Sequence, residues 1–184
     1  MGTSQQQKAA SRAAIVDAAA QLFRERGLDG VSVAEVMDAA GLTHGGFPRH
    51  FPNKQALVAE ALATALGSGS EARLIPADGV EAFASGYLTK IHRDNPGKGC
   101  VYAALGAEVA RADPQARSVM SEAIRRQIEA FSTPAAAGQS EPDAAAIGKW
   151  AAMIGALVLA RISDSETLSD QILTATRTFI GSPK

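Results

Sequence analysis

The sequence predicts an all-α protein, because apolar residues recur at helical spacing along nearly the whole chain and no segment alternates with the two-residue period of a strand. The chain has 184 residues, of which 46% are hydrophobic and 20% charged, as expected for one compact soluble domain or two small ones. About nine helices are expected, near residues 8–26, 32–40, 43–50, 53–66, 78–92, 100–111, 114–131, 143–162 and 165–180.

Start and stop signals define the first three helices. Gly27 follows the first apolar stripe and can end that helix in the left-handed conformation. Ser32 and Glu35 have the spacing of a capping box, in which each side chain binds the other residue's backbone amide. Gly41 ends this short second helix, and Thr43 is expected to cap the third.

Later boundaries follow from the same chemistry. Asn53 is expected to cap the fourth helix, and Asp113 followed by Pro114 marks another helix start. The Gly67-Ser68-Gly69-Ser70 segment is the first flexible break, and residues 132–142, which are rich in Pro, Gly, Ala and Ser, are predicted to form a linker.

The charge and cysteine content restrict the class of protein. Eighteen Lys and Arg residues against 19 Asp and Glu give a net charge of −1, so any nucleic-acid binding must depend on where the charges lie. The one cysteine, Cys100, cannot form an internal disulfide. No long uncharged apolar run or signal peptide is evident, so we predict a cytoplasmic protein without a membrane-spanning helix.

Enzymatic signatures are lacking in the sequence. The three histidines, His44, His50 and His92, do not occur in a metal-ligand pattern. Neither a phosphate-binding glycine loop after a strand nor a G-x-S-x-G elbow is present. We therefore predict a protein that is not an enzyme and has no metal or cofactor, with a small helical enzyme as a remote alternative.

The segment from Ser32 to Phe51 contains two short helices separated by Gly41-Leu42-Thr43, the arrangement of a helix-turn-helix. Its second helix has poor helix propensity, because Gly45 and Gly46 each cost roughly 1 kcal/mol relative to alanine. Small residues on an exposed face instead allow the backbone to approach another surface closely. The segment is therefore a candidate recognition helix.

Residues from about 12 to 60 resemble the DNA-binding domain of the TetR/AcrR family of bacterial transcriptional regulators. The resemblance covers about a quarter of the chain and rests on many positions in order. It implies a homodimer with a variable C-terminal domain that holds a small ligand, the last two helices forming a four-helix dimer interface. The stretches that carry it are 12–23, Gly27, 31–33, 39–43, Gly46-Phe47 and 50–57.

The resemblance assigns residues 8–54 to a helix-turn-helix DNA-binding domain and residues 55–184 to a helical ligand-binding and dimerisation domain. At the start of the recognition helix, three residues would meet base edges or phosphates, and later basic residues would contact the backbone. For each of them a solvated surface residue is the alternative, and the His50 ring could pack beside Phe51. The candidate DNA-binding residues are Ser32, Thr43, His44, Gly45, Gly46, Arg49, His50 and Lys54.

Pro48 departs from the family pattern, which has a tyrosine that contacts phosphate at this position. Proline lacks a backbone donor and clashes with the carbonyl four residues earlier, which costs ~3 kcal/mol in a regular helix. We expect either a kinked recognition helix that ends near Phe47 or weakened operator binding.

The C-terminal half is rich in Ala and Gly, which leaves helices close together or leaves room for a ligand between them. For each candidate pocket residue, an ordinary core position is an equal alternative. The candidates are Phe83, Tyr87, Ile91, Cys100, Leu105, Met120, Ile124 and Trp150.

Cys100 has a second interpretation. It follows Gly97-Lys98-Gly99 at a predicted helix start, where amide dipoles and Lys98 could lower the thiol pKa. Some members of the family sense electrophiles or oxidants through a similar Gly-Cys. A buried, inert thiol is the alternative.

The function predicted from the sequence is a ligand-responsive transcriptional repressor that binds a palindromic operator in double-stranded DNA as a homodimer and releases it on binding a small-molecule effector. The apolar stripes that contain Trp150 and Phe179 are the candidate dimer interface, unless they form the internal core. The alternatives are a helical ligand-binding module whose DNA binding is impaired by Pro48 and a thiol-based sensor that uses Cys100.

Overall fold

A computed structural model describes residues 2–68, 79–132 and 143–181. These residues form nine α-helices and two short 3-10 helices, with no strand among them, so the all-α prediction is confirmed. The α-helices are α1 (Gly2–Arg26), α2 (Val33–Ala39), α3 (Lys54–Ser68), α4 (Gly79–Tyr87), α5 (Lys90–Asp94), α6 (Val101–Val109), α7 (Pro114–Phe131), α8 (Ala144–Ile162) and α9 (Glu166–Gly181). The 3-10 helices are His44–Arg49 and Pro96–Lys98.

The N-terminal part is built on α1, which packs against both α2 and α3. Its inward stripe, including Ile15 and Phe23, has almost no exposed surface, and neither have Met37 on α2 and Leu57 on α3. Burying such side chains supplies most of the favourable free energy of folding. The core thereby fixes the position of the 3-10 helix His44–Arg49, which packs on α2.

Two of the predicted helix boundaries depend on glycine. Gly27 ends α1 with a φ of +83°. Gly41 has a φ of +70° and follows the cap residue of α2. The Gly41 and Leu42 amides donate to the carbonyls of Asp38 and Met37, which is the Schellman arrangement. Both stop signals identified in the sequence are therefore confirmed.

The capping box at Ser32 is present: its hydroxyl accepts from the Glu35 amide, and the Glu35 carboxylate accepts from the Ser32 amide at 2.8 Å. Asn53 Oδ1 accepts from the Ala56 amide at 2.8 Å, as a cap of α3 should. The prediction for Thr43 is wrong, because its side chain makes no capping hydrogen bond. The short 3-10 helix satisfies its first turn instead with Gly46 donating to the Thr43 carbonyl at 2.9 Å.

The predicted third helix is a 3-10 helix, and it does not end near Phe47. It continues through Pro48 to Arg49. The His50 amide donates to the Phe47 carbonyl at 2.9 Å, the three-residue spacing of this helix type. A short 3-10 turn tolerates a missing donor that would interrupt a longer α-helix.

The C-terminal part contains α4 to α9, and one of its predicted helices is divided. The sequence predicts a single helix over 78–92, whereas α4 ends at Tyr87 and α5 begins at Lys90. Thr89 separates them, because it adopts an extended conformation and its hydroxyl accepts from the His92 amide. A local side-chain cap thus overrides the apolar periodicity.

The predicted breaks are only partly covered. Helix α3 continues through Gly67 to Ser68, so the first half of the predicted Gly67–Ser70 break is helical. Residues 69 and 70 lie outside the described residues, as do residues 133–142 of the predicted linker.

Helix α8 is long and apolar enough to cross a membrane by length and composition alone. Here it contributes Trp150, Met153 and Leu157 to the core, each at least 97% buried. Its Lys149 Nζ lies 2.7 Å from a Glu81 carboxylate oxygen. This is the pattern of a central helix in a bundle.

Candidate nucleic-acid interface

The 3-10 helix His44–Arg49 presents an exposed, small-residue surface. Thr43, His44 and Gly45 are exposed, and a Cβ added at Gly45 would meet no described atom within 4 Å. Gly46 is half-buried and faces α2, where an added Cβ would lie 3.5 Å from Met37 Cε. The first turn can therefore approach another surface closely at Gly45, whereas a methyl group at Gly46 would be in ordinary contact with Met37 on α2.

The second half of this helix is anchored by one buried ring. Phe47 is buried and stacks on Phe51 with 5.7 Å between ring centroids. Pro48 and Arg49, which follow it, are both exposed. Because a 3-10 helix has three residues per turn, Gly45 and Pro48 share one exposed side. That side offers a smooth surface without a hydroxyl donor.

Arg12 holds the end of this helix, a role that the sequence analysis missed. Its guanidinium binds both carboxylate oxygens of Glu60 on α3, donates to the His50 carbonyl, and lies 4.1 Å from the centroid of the Phe51 ring. A bidentate, planar contact of this kind fixes orientation as well as distance. The helical spacing of Arg12 gives no signal for it, because its partners are 38 and 48 residues away.

His50 lies in a basic cluster with Lys8, Arg12 and Arg49. Its Nδ1 atom is buried and has no hydrogen-bond partner in the described part of the chain. Burial lowers the pKa of His50 below its ordinary value of 6.5, and the charges of Lys8, Arg12 and Arg49 lower it further. This corner has a positive potential that a phosphate group would relieve.

Lys54 begins α3, half-buried, with Nζ 5.9 Å from the centroid of the Phe23 ring. Near it, Ser32 is exposed, but its hydroxyl donates to Glu35 at 2.7 Å as well as capping α2. Arg26 contacts the same carboxylate at 3.1 Å. The hydrogen bonds from Ser32 lower the pKa of Glu35, and Arg26 and Lys54 lower it further. Arg26 and Lys54 thus lie near the start of α2, while Lys8, Arg12 and Arg49 lie near His50 at the end of the 3-10 helix.

Comparison with known proteins agrees with this geometry. Residues 15–61 match the model of the tetR family of bacterial regulatory proteins. A stretch of 55 residues, 30% of this chain, is 42% identical to the HTH-type transcriptional repressor KstR2 of Rhodococcus jostii (strain RHA1), and covers 27% of that protein. A TetR transcriptional regulator from Chloroflexus aurantiacus J-10-FL aligns over 95% of this chain and 96% of its own, with 25% identity and a TM-score of 0.72. Residues 15–61 thus resemble the DNA-binding region of the tetR family, and the described helices have the fold of a TetR regulator.

Two further solved structures match the fold at lower identity. The reduced form of NemR from E. coli aligns with a TM-score of 0.71 and 23% identity, over 93% of this chain and 95% of its own. AibR in complex with isovaleryl coenzyme A and operator DNA aligns over 95% of this chain and 100% of its own, with a TM-score of 0.64 and 19% identity. The match to KstR2 covers 30% of this chain, whereas these two structures match more than nine-tenths of it.

Most of the candidate ligand residues meet in one aromatic cluster. The Phe83 ring stacks on the Tyr87 ring with 5.6 Å between centroids, and it meets the Phe131 ring edge-on with 5.2 Å between centroids. The centroid of the Trp150 ring lies 5.3 Å from that of Phe131 and 5.4 Å from that of Tyr102. Trp150 is 3% exposed, and its Nε1 has no acceptor among the described residues. Leu105 and Met120 are also buried in this core.

Two candidates do not belong to this cluster. Ile124 is 36% exposed, because α7 turns residues such as Met120 and Ala123 inward instead. Ile91 is 79% exposed, because it lies on α5, beyond the break at Thr89, where the apolar period of α4 no longer applies.

Cys100 is fully buried and caps α6. Its Sγ accepts from the Ala103 amide at 3.3 Å, and its own amide donates to His92 Nε2 at 2.9 Å. A reactive thiol has to be accessible. The burial of Cys100 therefore removes the exposure on which the sensor hypothesis depends.

No group of three or more His, Cys, Asp or Glu side chains arranged to hold a metal occurs within residues 2–68, 79–132 and 143–181. The candidate site is the exposed surface formed by the 3-10 helix His44–Arg49 and the basic residues near it.

Proposed function

We propose that this chain is a cytoplasmic, ligand-responsive transcriptional repressor that binds a palindromic operator as a homodimer. Residues 8–54 would bind DNA, and residues 55–184 would bind the effector and the second subunit. The observation that carries the proposal is the TetR-family match over residues 15–61, combined with an exposed recognition helix between basic residues.

Sequence preference would come from the first turn of the 3-10 helix. Thr43 and His44 are exposed donors, and Gly45 permits a close approach to the base edges. Arg49, His50 and Lys54 would contact phosphates and set the register. Because the net charge is −1, affinity depends on this local placement, and it should fall steeply with salt.

The second subunit would bind the outer face of α8 and α9. This face carries exposed apolar residues, and a Cβ added at Gly148 or Gly155 would meet no described atom within 4 Å, so another helix can approach closely. Phe179 belongs to this face at 69% exposure, whereas Trp150 is an internal core residue. The exposed apolar residues are Ile147, Leu159, Ile162, Leu168 and Phe179.

The effector would bind beside the aromatic cluster of α4, α6, α7 and α8. A buried indole donor without an acceptor costs free energy, and the carbonyl or carboxylate of a mainly apolar ligand would satisfy Trp150 Nε1. AibR shares the fold and is known with isovaleryl coenzyme A and operator DNA, so the architecture accommodates both partners.

The test begins with enrichment of duplexes from a random-sequence library by the full chain. We expect a palindrome with two half-sites roughly 34–36 Å apart, one helical turn of DNA. Labelled duplex is then titrated by fluorescence anisotropy at several salt concentrations. Lys54→Ala should reduce the salt slope by about one without changing the preferred sequence.

His44→Ala should instead relax the preference at one position of each half-site, at a cost of ~1–3 kcal/mol. Glu122→Ala is the matched control, since Glu122 lies on the exposed side of α7 and pairs only with Arg125 among the described residues. Failure to enrich any palindrome would reject the proposed function.

A further inference from the structure

Helix α6 packs against both α1 and α8, and hydrogen bonds link its Glu108 to the turn after α1 and link Arg24 of α1 to Gly97, in the 3-10 helix that precedes α6. We propose that Glu108, near its C-terminal end, is the positioning residue through which the ligand-binding core sets the orientation of the α1–α2 turn. This inference rests on the proposed function, since it concerns how effector binding reaches the operator-binding surface.

The tie at Glu108 is a direct hydrogen bond between the two parts of the chain. The Leu28 amide, just past the end of α1, donates to Glu108 Oε2 at 2.5 Å. The carboxylate also covers Gly27, where an added Cβ would lie 2.8 Å from Glu108 Oε1. A carboxylate that accepts from a backbone amide forms a charge-assisted bond, which is stronger than a neutral one.

The second tie is at the other end of α6. Arg24 on α1 donates through Nε to the Gly97 carbonyl at 2.8 Å, three residues before the Cys100 cap. Gly97 is buried, and an added Cβ would lie 2.3 Å from Glu25 Oε1, so α1 and this turn are in close contact. Two ties at separate points make α1 follow a rotation of α6 as well as a translation.

The opposite face of α6 belongs to the ligand-binding core. Tyr102 meets Trp150 edge-on at 5.4 Å, and Leu105 is 2% exposed. A ligand that displaces Trp150 therefore displaces α6, because closely packed side chains transmit movement. The same helix thus contacts the candidate effector site on one side and the α1–α2 turn on the other.

Packing beyond Glu108 is incomplete, so the hydrogen bond carries the connection there. A crevice of about 210 Å³ separates the α1–α2 turn, at Leu28 and Asp29, from the α6–α7 turn, at Ala112 and Asp113. The adjoining wall is the first part of α3, including Lys54. Without the Glu108 bond, the two turns could move independently across this space.

The experiment is a double-mutant cycle between the core and the tie, measured with the duplex enriched from the random library. Trp150→Phe perturbs the core without removing a ring, and operator affinity is measured for the wild type, Trp150→Phe, Glu108→Ala and the double variant. We expect Trp150→Phe to change the dissociation constant about five-fold or more in the wild type, and less than about two-fold in the Glu108→Ala background.

Two further variants separate geometry from charge. Glu108→Gln retains an acceptor at the same reach and should restore the response to Trp150→Phe. Glu108→Asp keeps the charge but withdraws it by one methylene, and should behave like Glu108→Ala. Hydrogen exchange of the Leu28 amide, observed by NMR, should be faster in the Ala and Asp variants than in the Gln variant, which a general loss of stability would not produce.

Each outcome is decisive. An operator affinity that is indifferent to Trp150→Phe in the wild type, or that changes equally in both backgrounds, overturns the role of Glu108 while the proposed function stands. If no duplex is enriched, the proposed function itself fails. If the Ala variant does not fold, the comparison of Asp with Gln supplies the same decision.

Discussion

Arg12 joins three neighbouring parts of the chain through one guanidinium: Glu60 on α3, the His50 carbonyl and the Phe51 ring. The ion pair with Glu60 is about 40% exposed, so its own contribution to stability is small, ~0–1 kcal/mol. Its importance lies in position, because the carbonyl it binds directly follows the recognition helix. In the proposed function, Arg12 would therefore position residues that contact DNA without contacting it itself.

We predict that Arg12→Ala weakens operator binding by roughly ten-fold, about the worth of one hydrogen bond from a charged group, with little loss of thermal stability. The measurement is fluorescence anisotropy of the enriched duplex as a function of salt. The salt slope should remain that of the wild type. A slope reduced by about one would instead mean that Arg12 itself neutralises a phosphate.

His92 is the second residue whose environment has a measurable consequence. Nδ1 lies 2.7 Å from the Tyr87 carbonyl, and Nε2 accepts from the Cys100 amide, so the ring joins the end of α4 to the start of α6 as a neutral imidazole. Burial lowers its pKa below 6.5 and Arg161 lowers it further, while the bond to Tyr87 opposes the shift. Protonation would place two donors face to face at Cys100.

The sign of the pH effect follows from this shift. Because the folded pKa is lowered, the unfolded state binds more protons below about pH 6.5, so the stabilisation is complete above that pH and is lost as the pH falls through the folded pKa. Urea unfolding at about pH 7.5 and about pH 5.5 should show a smaller pH effect in His92→Gln than in the wild type. His44→Gln, at an exposed histidine, is the control and should behave like the wild type. Equal pH effects in all three proteins would contradict the prediction.

At the scale of the secondary-structure element, the 3-10 helix His44–Arg49 combines residues of low helix propensity with an exposed surface. Gly45, Gly46 and Pro48 disfavour an α-helix, and the segment adopts a 3-10 helix held by the buried Phe47 ring. Sequence rules predicted a kink because they treat proline as an interruption of an α-helix. A short 3-10 helix contains few backbone hydrogen bonds, so the missing amide of the proline changes the helix type without ending the helix.

We predict that Pro48→Tyr strengthens operator binding several-fold, because the hydroxyl adds one hydrogen bond to a phosphate, worth about 1 kcal/mol. The salt slope should stay constant, since tyrosine adds no charge. Pro48→Phe is the matched control and should not gain affinity. The prediction fails if Tyr and Phe have the same effect, or if Tyr leaves the affinity unchanged.

At the scale of the whole molecule, the apolar side chains of α8 and α9 divide between a buried and an exposed face. Helices α8 and α9 bury Trp150, Leu157 and Leu173 inside, and leave Leu159 and Phe179 about half exposed or more. A contiguous exposed apolar surface on a soluble fold is a typical interaction site. In the proposed function it brings the two recognition helices to the spacing of successive major grooves.

We predict that Leu159→Glu with Phe179→Glu converts the chain to a monomer, because burying two carboxylates in an apolar interface is costly. Sedimentation equilibrium measures the change, and affinity for the enriched palindrome should fall by at least about a hundred-fold as the second half-site contact is lost. Ile124→Glu, at an exposed position of α7, is the control and should remain dimeric. A double variant that remains a dimer would place the interface elsewhere.

The sequence by itself determined what depends on neighbours along the chain. The helical period, the Ser32–Glu35 capping box, the Gly27 and Gly41 stops and the caps at Asn53 and Asp113 were all predicted, because each involves atoms a few residues apart. The family followed from the same local motifs.

Tertiary structure decided everything that joins distant parts of the chain. It buried Cys100, exposed Ile124, brought Arg12 to His50 and Glu108 to Leu28, and divided the stripes of α8 and α9 into an inner and an outer face. These contacts span tens of residues, and a hydrophobic period marks an apolar side without naming its partner. Only the packed arrangement of the helices selects which surfaces meet, because each apolar stripe could be covered by several others.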